Sequence, residues 1–129
     1  MPAPVDYATP LAGPITVLEH GDDFVVAALR VEAGDPIFAG HYPGHPVYPG
    51  LCLVEYAHRS ALAGASLLGR ELELVELEAA RFHRPVHPGD LVTADLRFTE
   101  HDEGWRCAAR LHDGDAEIAF IRLRYRSPR

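Results

Sequence analysis

Two residues of this 129-residue chain have the types and spacing to move protons, His41 and Glu55, with the backbone of Gly50 between them to hold a carbonyl. His41 sits in F-A-G-H-Y-P-G-H-P-V-Y-P-G, residues 38–50, where Pro43, Pro46 and Pro49 recur at the three-residue period of polyproline II. Each proline also drives the residue before it towards extended geometry, so the loop is stiff and a side chain on it is fixed before substrate arrives. Pro49 and Gly50 open an apolar segment, and the first positions of a helix tolerate proline. A helix start there would present unpaired N–H groups and a positive dipole end to a polarised carbonyl. Glu55 lies about a turn and a half further, roughly 8 Å along the axis from Gly50. A carboxyl enclosed in a helix is reluctant to ionise, which suits a general acid. Base, acid and dipole together fit removal of a proton beside a carbonyl with loss of a β-hydroxyl.

Other constellations are weaker. Among His41, His45, Glu55 and His58, the two loop histidines are four residues apart but flank Pro43 in an extended segment, so theirs is not the helical i, i+4 geometry of a zinc site, and no metal is expected. His58, one turn beyond Glu55, is expected either to orient it or simply to pack. Arg59, four residues beyond Glu55, is placed to pair with it and weaken it as an acid. His83 and His87 read as surface or structural residues. Arg122, Arg124 and Arg126 share one face of a strand and read as a solvated face, or else as part of a surface that receives an acidic partner.

The elements that must position these groups are legible from periodicity and turn chemistry. Prolines 2, 4, 10 and 14 make residues 1–14 an extended arm. Residues 15–20 and 24–31 read as strands joined by Gly21-Asp22-Asp23. Residues 50–69 lack proline and read as a helix whose apolar residues spread around most of its circumference, so that other structure should enclose it. Its Ala57, Ala61, Ala63, Gly64 and Ala65 would let a sheet come close. Period-two alternation then predicts strands at 75–83, 91–100, 105–112 and 116–126. The result is a single α+β domain spanning 1–129, an antiparallel sheet wrapped around one long helix.

Composition narrows the function classes. A net charge of −7 argues against nucleic acid as a partner. No segment is long and apolar enough for a membrane span, and the first residues lack a secretory signal, so the chain reads as soluble and cytoplasmic. All twelve basic residues are arginine. Cys52 and Cys107 are too few and too unpatterned for a disulfide framework, and Cys52 reads as a small buried hydrophobe.

The pattern Phe38-x-Gly40-His41-Tyr42-Pro43-Gly44-x-Pro46-x-x-Pro49-Gly50, completed by Glu55, closely resembles the active-site motif of (3R)-hydroxyacyl-[acyl carrier protein] dehydratases of the FabZ type, which are hotdog-fold enzymes. A second block, Ala80-Arg81-Phe82-x-Arg84-Pro85-Val86-x-Pro88-Gly89-Asp90, resembles the strand and turn that follow the central helix in that family. The resemblance implies that His41 removes the α-proton, Glu55 protonates the departing hydroxyl, and the Gly50 amide holds the thioester carbonyl. It also implies a homodimer whose sites draw His and Glu from different protomers, no cofactor, and a substrate carried on the phosphopantetheine arm of an acyl carrier protein, with Arg84 a candidate contact for that carrier. Three features depart from the pattern: the arm of residues 5–10, His45, and the run Tyr56-Ala57-His58-Arg59 after the glutamate. They fit a specialised relative in polyketide or secondary lipid synthesis. Two alternatives stand beside this reading, a hotdog thioesterase and a non-catalytic subunit of a heterodimeric dehydratase.

Overall fold

The structure, a computed structural model, describes residues 15–32 and 49–128. The arm of residues 1–14, His41 and His45 therefore lie outside the described residues. Two strands, β1 (Thr16–His20) and β2 (Phe24–Arg30), precede helix α1 (Gly50–Leu67). Four more follow: β3 (Glu73–Phe82), β4 (Leu91–His101), β5 (Gly104–Asp113) and β6 (Ala116–Arg126). All pair antiparallel in one six-stranded sheet of order β1-β2-β4-β5-β6-β3. Every expected element is present, with ends shifted by one or two residues.

Alternation decides which face of the sheet becomes core. Val92, Ala94, Leu96 and Phe98 of β4 turn inward, as do Ala119, Ile121, Leu123 and Tyr125 of β6, all at least nine-tenths buried. They meet the face of α1 made by Cys52, Leu53, Tyr56, Ala57, Ala61 and Ala65. Small residues on that face allow the close approach: a Cβ on Gly64 would lie 1.9 Å from Val25 Cγ2. Tyr56 fills the deeper part of the interface, and its buried hydroxyl donates to the Val92 carbonyl at 2.8 Å. Ser60, also buried, donates to the Tyr56 carbonyl one turn back at 2.8 Å.

Enclosure of the helix is less complete than its apolar circumference implies. The sheet covers one side, while Leu51 and Leu67 are 73% and 56% exposed. The other departure is β3, which lies at the sheet edge and shows no alternation of burial. Its register against β6 shifts between Leu74 and Glu76 and again between Leu77 and Ala79, so Val75 and Glu78 have no residue opposite them. Leu74, Val75, Leu77 and Phe82 remain 40–50% exposed.

Charge on the opposite sheet face ties this strand down. Arg106 of β5 grips Glu78 with two hydrogen bonds, Nε to Oε1 at 2.6 Å and Nη2 to Oε2 at 3.0 Å. Arg122 and Arg124 of β6 approach the same carboxylate at 3.4 and 3.7 Å. Arg124 also reaches Glu76, and Arg126 pairs with Glu73. The arginine face of β6 is therefore engaged in ion pairs to β3, while Arg122 and Arg126 stay 42% and 54% exposed.

Turns show where backbone conformation is demanding. The β4–β5 hairpin turns on Asp102 and Glu103, both in the left-handed region at φ 43° and 63°. In the 85–90 turn, the Gly89 amide bonds the Val31 carbonyl at 2.7 Å and the Val31 amide returns to the Asp90 carbonyl at 2.9 Å. Asp90 Oδ2 caps the His87 amide at 2.8 Å. This turn anchors the second motif block to the end of β2. Among the described residues, no helix is long and apolar enough to cross a membrane.

Two outcomes follow. Gly64→Val should cost about 2–3 kcal/mol in a urea titration, because the added methyl groups collide with Val25 in a packed layer. Glu78 is held below the ordinary carboxyl value chiefly by its hydrogen bond from Arg106. Its stabilisation is present above the usual carboxylate value of 4.5 and is lost as pH falls through the lower folded value. Thermal melts of Glu78→Gln should show a lower Tm than wild type at neutral pH and a weaker decline on acidification.

Candidate active site on the helix flank

Helix α1 starts at Gly50 with Pro49 as its N-cap, a residue whose side chain makes no capping hydrogen bond. No acidic residue lies in the first turn, so the positive dipole end is not neutralised from within the helix. Gly50 leaves room for a neighbouring ring. A Cβ there would lie 2.9 Å from Cζ of Phe82, whose ring rests against the helix start. The two motif blocks are thus in direct contact, one supplying the glycine and the other the ring.

Glu55 is on the same helix with its side chain 28% exposed, and Arg59 Nε donates to its Oε1 at 3.1 Å. The pairing expected from the i, i+4 spacing is present. His58 lies between them in sequence, one helical turn from Glu55. It stacks on Tyr125 of β6, with centroids 5.7 Å apart and planes inclined by 13°. Its Nδ1 is 2.9 Å from the Tyr125 hydroxyl. Burial pushes His58 below the ordinary histidine value, opposed by the charge of Glu55 and assisted by that of Arg59. Burial also pushes the Tyr125 phenol well up, so it remains a neutral donor.

The remaining candidates are elsewhere. Arg84 is exposed in the turn after β3 and lines a cleft of about 280 Å³ with Pro85, His87, Asp90, Asp113 and Ile118. None of those residues belongs to α1. His83 is exposed, and His87 faces Asp90 at 4.0 Å. Cys52 and Cys107 are buried, and burial pushes the Cys107 thiol up to about 12.

Sequence reasoning missed Tyr125 and the contact made by Phe82. Tyr125 carried a weak signal: a tyrosine in the inward register of a core strand must find a partner for its hydroxyl. The Phe82 contact joins residues 32 positions apart, and nothing local announces it.

Comparisons with known proteins identify the family and the fold. A family model described as ApeI-like, ApeI dehydratase, matches residues 18–118. The 3-hydroxyacyl-[acyl-carrier-protein] dehydratase FabZ of Roseiflexus castenholzii is 35% identical over 105 residues, covering 78% of this chain and 73% of that one. FabZ of Campylobacter curvus is 33% identical over 87 residues, 60% of this chain and 59% of that relative, so the chain spans about three fifths of such a relative's length. Among solved structures, the dehydratase heterocomplex ApeI:P from Xenorhabdus doucetiae superposes with a TM-score of 0.65 at 18% identity, covering 81% of this chain and 88% of that one. The E. coli PaaI protein of the phenylacetic acid degradation operon gives 0.71 at 18% identity, covering 87% and 82%. These two likenesses speak for the fold alone. With a family match across most of its length and a FabZ relative over three quarters of it, the chain belongs to the ApeI-like dehydratases of the hotdog superfamily.

Proposed function

We propose that the protein eliminates water from a (3R)-3-hydroxyacyl thioester carried by an acyl carrier protein, giving the trans-2-enoyl thioester. The observation that carries this reading is Glu55, partly buried on the helix that begins at Gly50, in a chain of a dehydratase family. His41 takes the α-proton. Enolate-like charge then develops on the thioester oxygen, where the Gly50 amide and the helix dipole stabilise it. The β-carbon–oxygen bond breaks as Glu55 delivers a proton, and water departs.

A second copy of the chain completes the site in this reading. Support comes from the free edge of β3, a strand that pairs on one side only among the described residues and exposes Leu74, Val75, Leu77 and Phe82. Such an edge is a template for pairing with another chain. The Glu55–Arg59 pair favours a second reading, in which the chain is one subunit of a heterodimeric dehydratase and Glu55 is not the acid.

Mass spectrometry of a 3-hydroxyacyl carrier protein incubated with the protein should register loss of water. His41→Ala should abolish it, and Glu55→Gln should lower turnover by roughly 10²–10⁴-fold, the usual contribution of a positioned acid. Arg59→Gln, which releases the carboxyl from its ion pair, should raise turnover several-fold. Release of free acid and thiol would identify a thioesterase instead. Activity that appears only with a second hotdog subunit and survives Glu55→Gln would establish the heterodimer reading. Val75→Lys, which places a charge on the free edge, should convert a sedimenting dimer to monomer and remove activity with it.

A further inference from the structure

We infer that His58 is a substrate-reading residue, whose Nε2–H donates a hydrogen bond to an oxygen carried on the acyl chain beyond the reacting carbons, and that Tyr125 is its positioning residue. The chemical identity of the substrate in this inference rests on the dehydratase reading; the state of the imidazole does not.

Hydrogen-bond accounting fixes the tautomer. Tyr125 is 1% exposed, and its hydroxyl has His58 Nδ1, at 2.9 Å, as its only partner among the described residues. A buried phenol must donate its proton or leave it unsatisfied. Donation to Nδ1 makes that nitrogen the acceptor, so the ring proton resides on Nε2. The lowered proton affinity of His58 agrees with a neutral ring, and stacking on Tyr125 fixes its plane. Nε2 has no hydrogen-bond partner among the described residues. His58 is half-buried, so this held, neutral donor faces solvent, and a bound chain that displaces the water must supply an acceptor in its place.

The surroundings say what kind of group completes it. Helix α1 and strand β3 run in opposite directions, with Phe82 against Gly50 at one end. At the other end Leu74 lies opposite Tyr125 in the β3–β6 register. On the helix-facing side of β3, Leu74, Leu77 and Phe82 are exposed, leaving an apolar strip beside the helix flank. A thioester carbonyl at Gly50 directs its acyl chain along this strip, past Glu55 and towards His58, which is about 12 Å from Gly50 by helical rise. A purely hydrocarbon chain leaves the Nε2–H unpaired. A keto or hydroxyl oxygen several carbons beyond the β-carbon satisfies it.

The test uses binding, so it does not depend on turnover. Acyl-pantetheine thioethers of matched lengths, with and without a keto group near the chain end, are titrated calorimetrically into the assembled full chain. At the best-matched length the keto analogue should bind about three- to tenfold tighter, the worth of one neutral hydrogen bond. His58→Phe, which keeps an aromatic ring, should abolish that preference, and Tyr125→Phe should weaken it. Two-bond ¹H–¹⁵N spectra should show a neutral Nε2–H tautomer for His58 in wild type and a tautomer mixture in Tyr125→Phe. Equal affinities for both analogues at every length, a preference that survives His58→Phe, or an Nδ1–H tautomer in wild type would each overturn the inference. Absence of water loss in the carrier-protein assay would instead sink the dehydratase reading and leave these results standing.

Discussion

Contact between α1 and the sheet without an intervening side chain at Gly64 is the constraint from which the rest of the architecture follows. Val25 occupies the space where a Cβ would be, and Ala57, Ala61 and Ala65 keep the same layer thin. Interiors packed at crystal-like density convert a gain of one methyl into a displacement. A thicker interface would lift the helix and carry Glu55, His58 and Arg59 away from β6. The polar flank is therefore set indirectly, by the smallness of the residues on the buried face. The same logic recurs at Gly50, where absence of a side chain lets the Phe82 ring reach the first turn.

The helix has two unlike sides. Its sheet-facing side is dry, with Tyr56 and Ser60 satisfied by backbone carbonyls. The flank that carries Glu55, His58 and Arg59 is partly open and held in two pairs, Glu55 to Arg59 and His58 to Tyr125. Polar groups at the edge of a low-dielectric layer interact more strongly than they would in water. That setting makes the order of pairing on this flank chemically consequential.

Most of the fold was legible because it is built from local signals. Alternation in β4 and β6, the turn residues at 21–23 and 113–115, and the proline-free helix each declare themselves within a dozen residues. Strand β3 was located, but its behaviour was not, because two register shifts break the period and an edge position removes the burial that alternation reports. The ion pairs of the β6 arginines were not legible for a related reason: their partners come from β3, more than forty residues earlier. Of the site, Gly50, Glu55, His58 and Arg59 were legible from helical spacing, and the Glu55–Arg59 pair followed from it. Tyr125 and the Phe82 contact required knowledge of which strand lies beside which helix flank, information that resides in topology and not in any window of sequence.

Glu78 shows how an irregularity can serve as a junction. It is the extra residue at the second register shift of β3, with no residue opposite it in β6. A side chain in strict register faces a single cross-strand neighbour. Freed from register, Glu78 reaches arginines from two strands, Arg106, Arg122 and Arg124. The bulge and the ionic hub are thus a single feature, and a change in chain length acts on both. Removing one residue between Leu77 and Ala79 would restore an ideal ladder on paper while leaving three guanidinium groups without their common carboxylate. Edge strands ordinarily accept such indels more readily than central ones; this strand has given up that freedom.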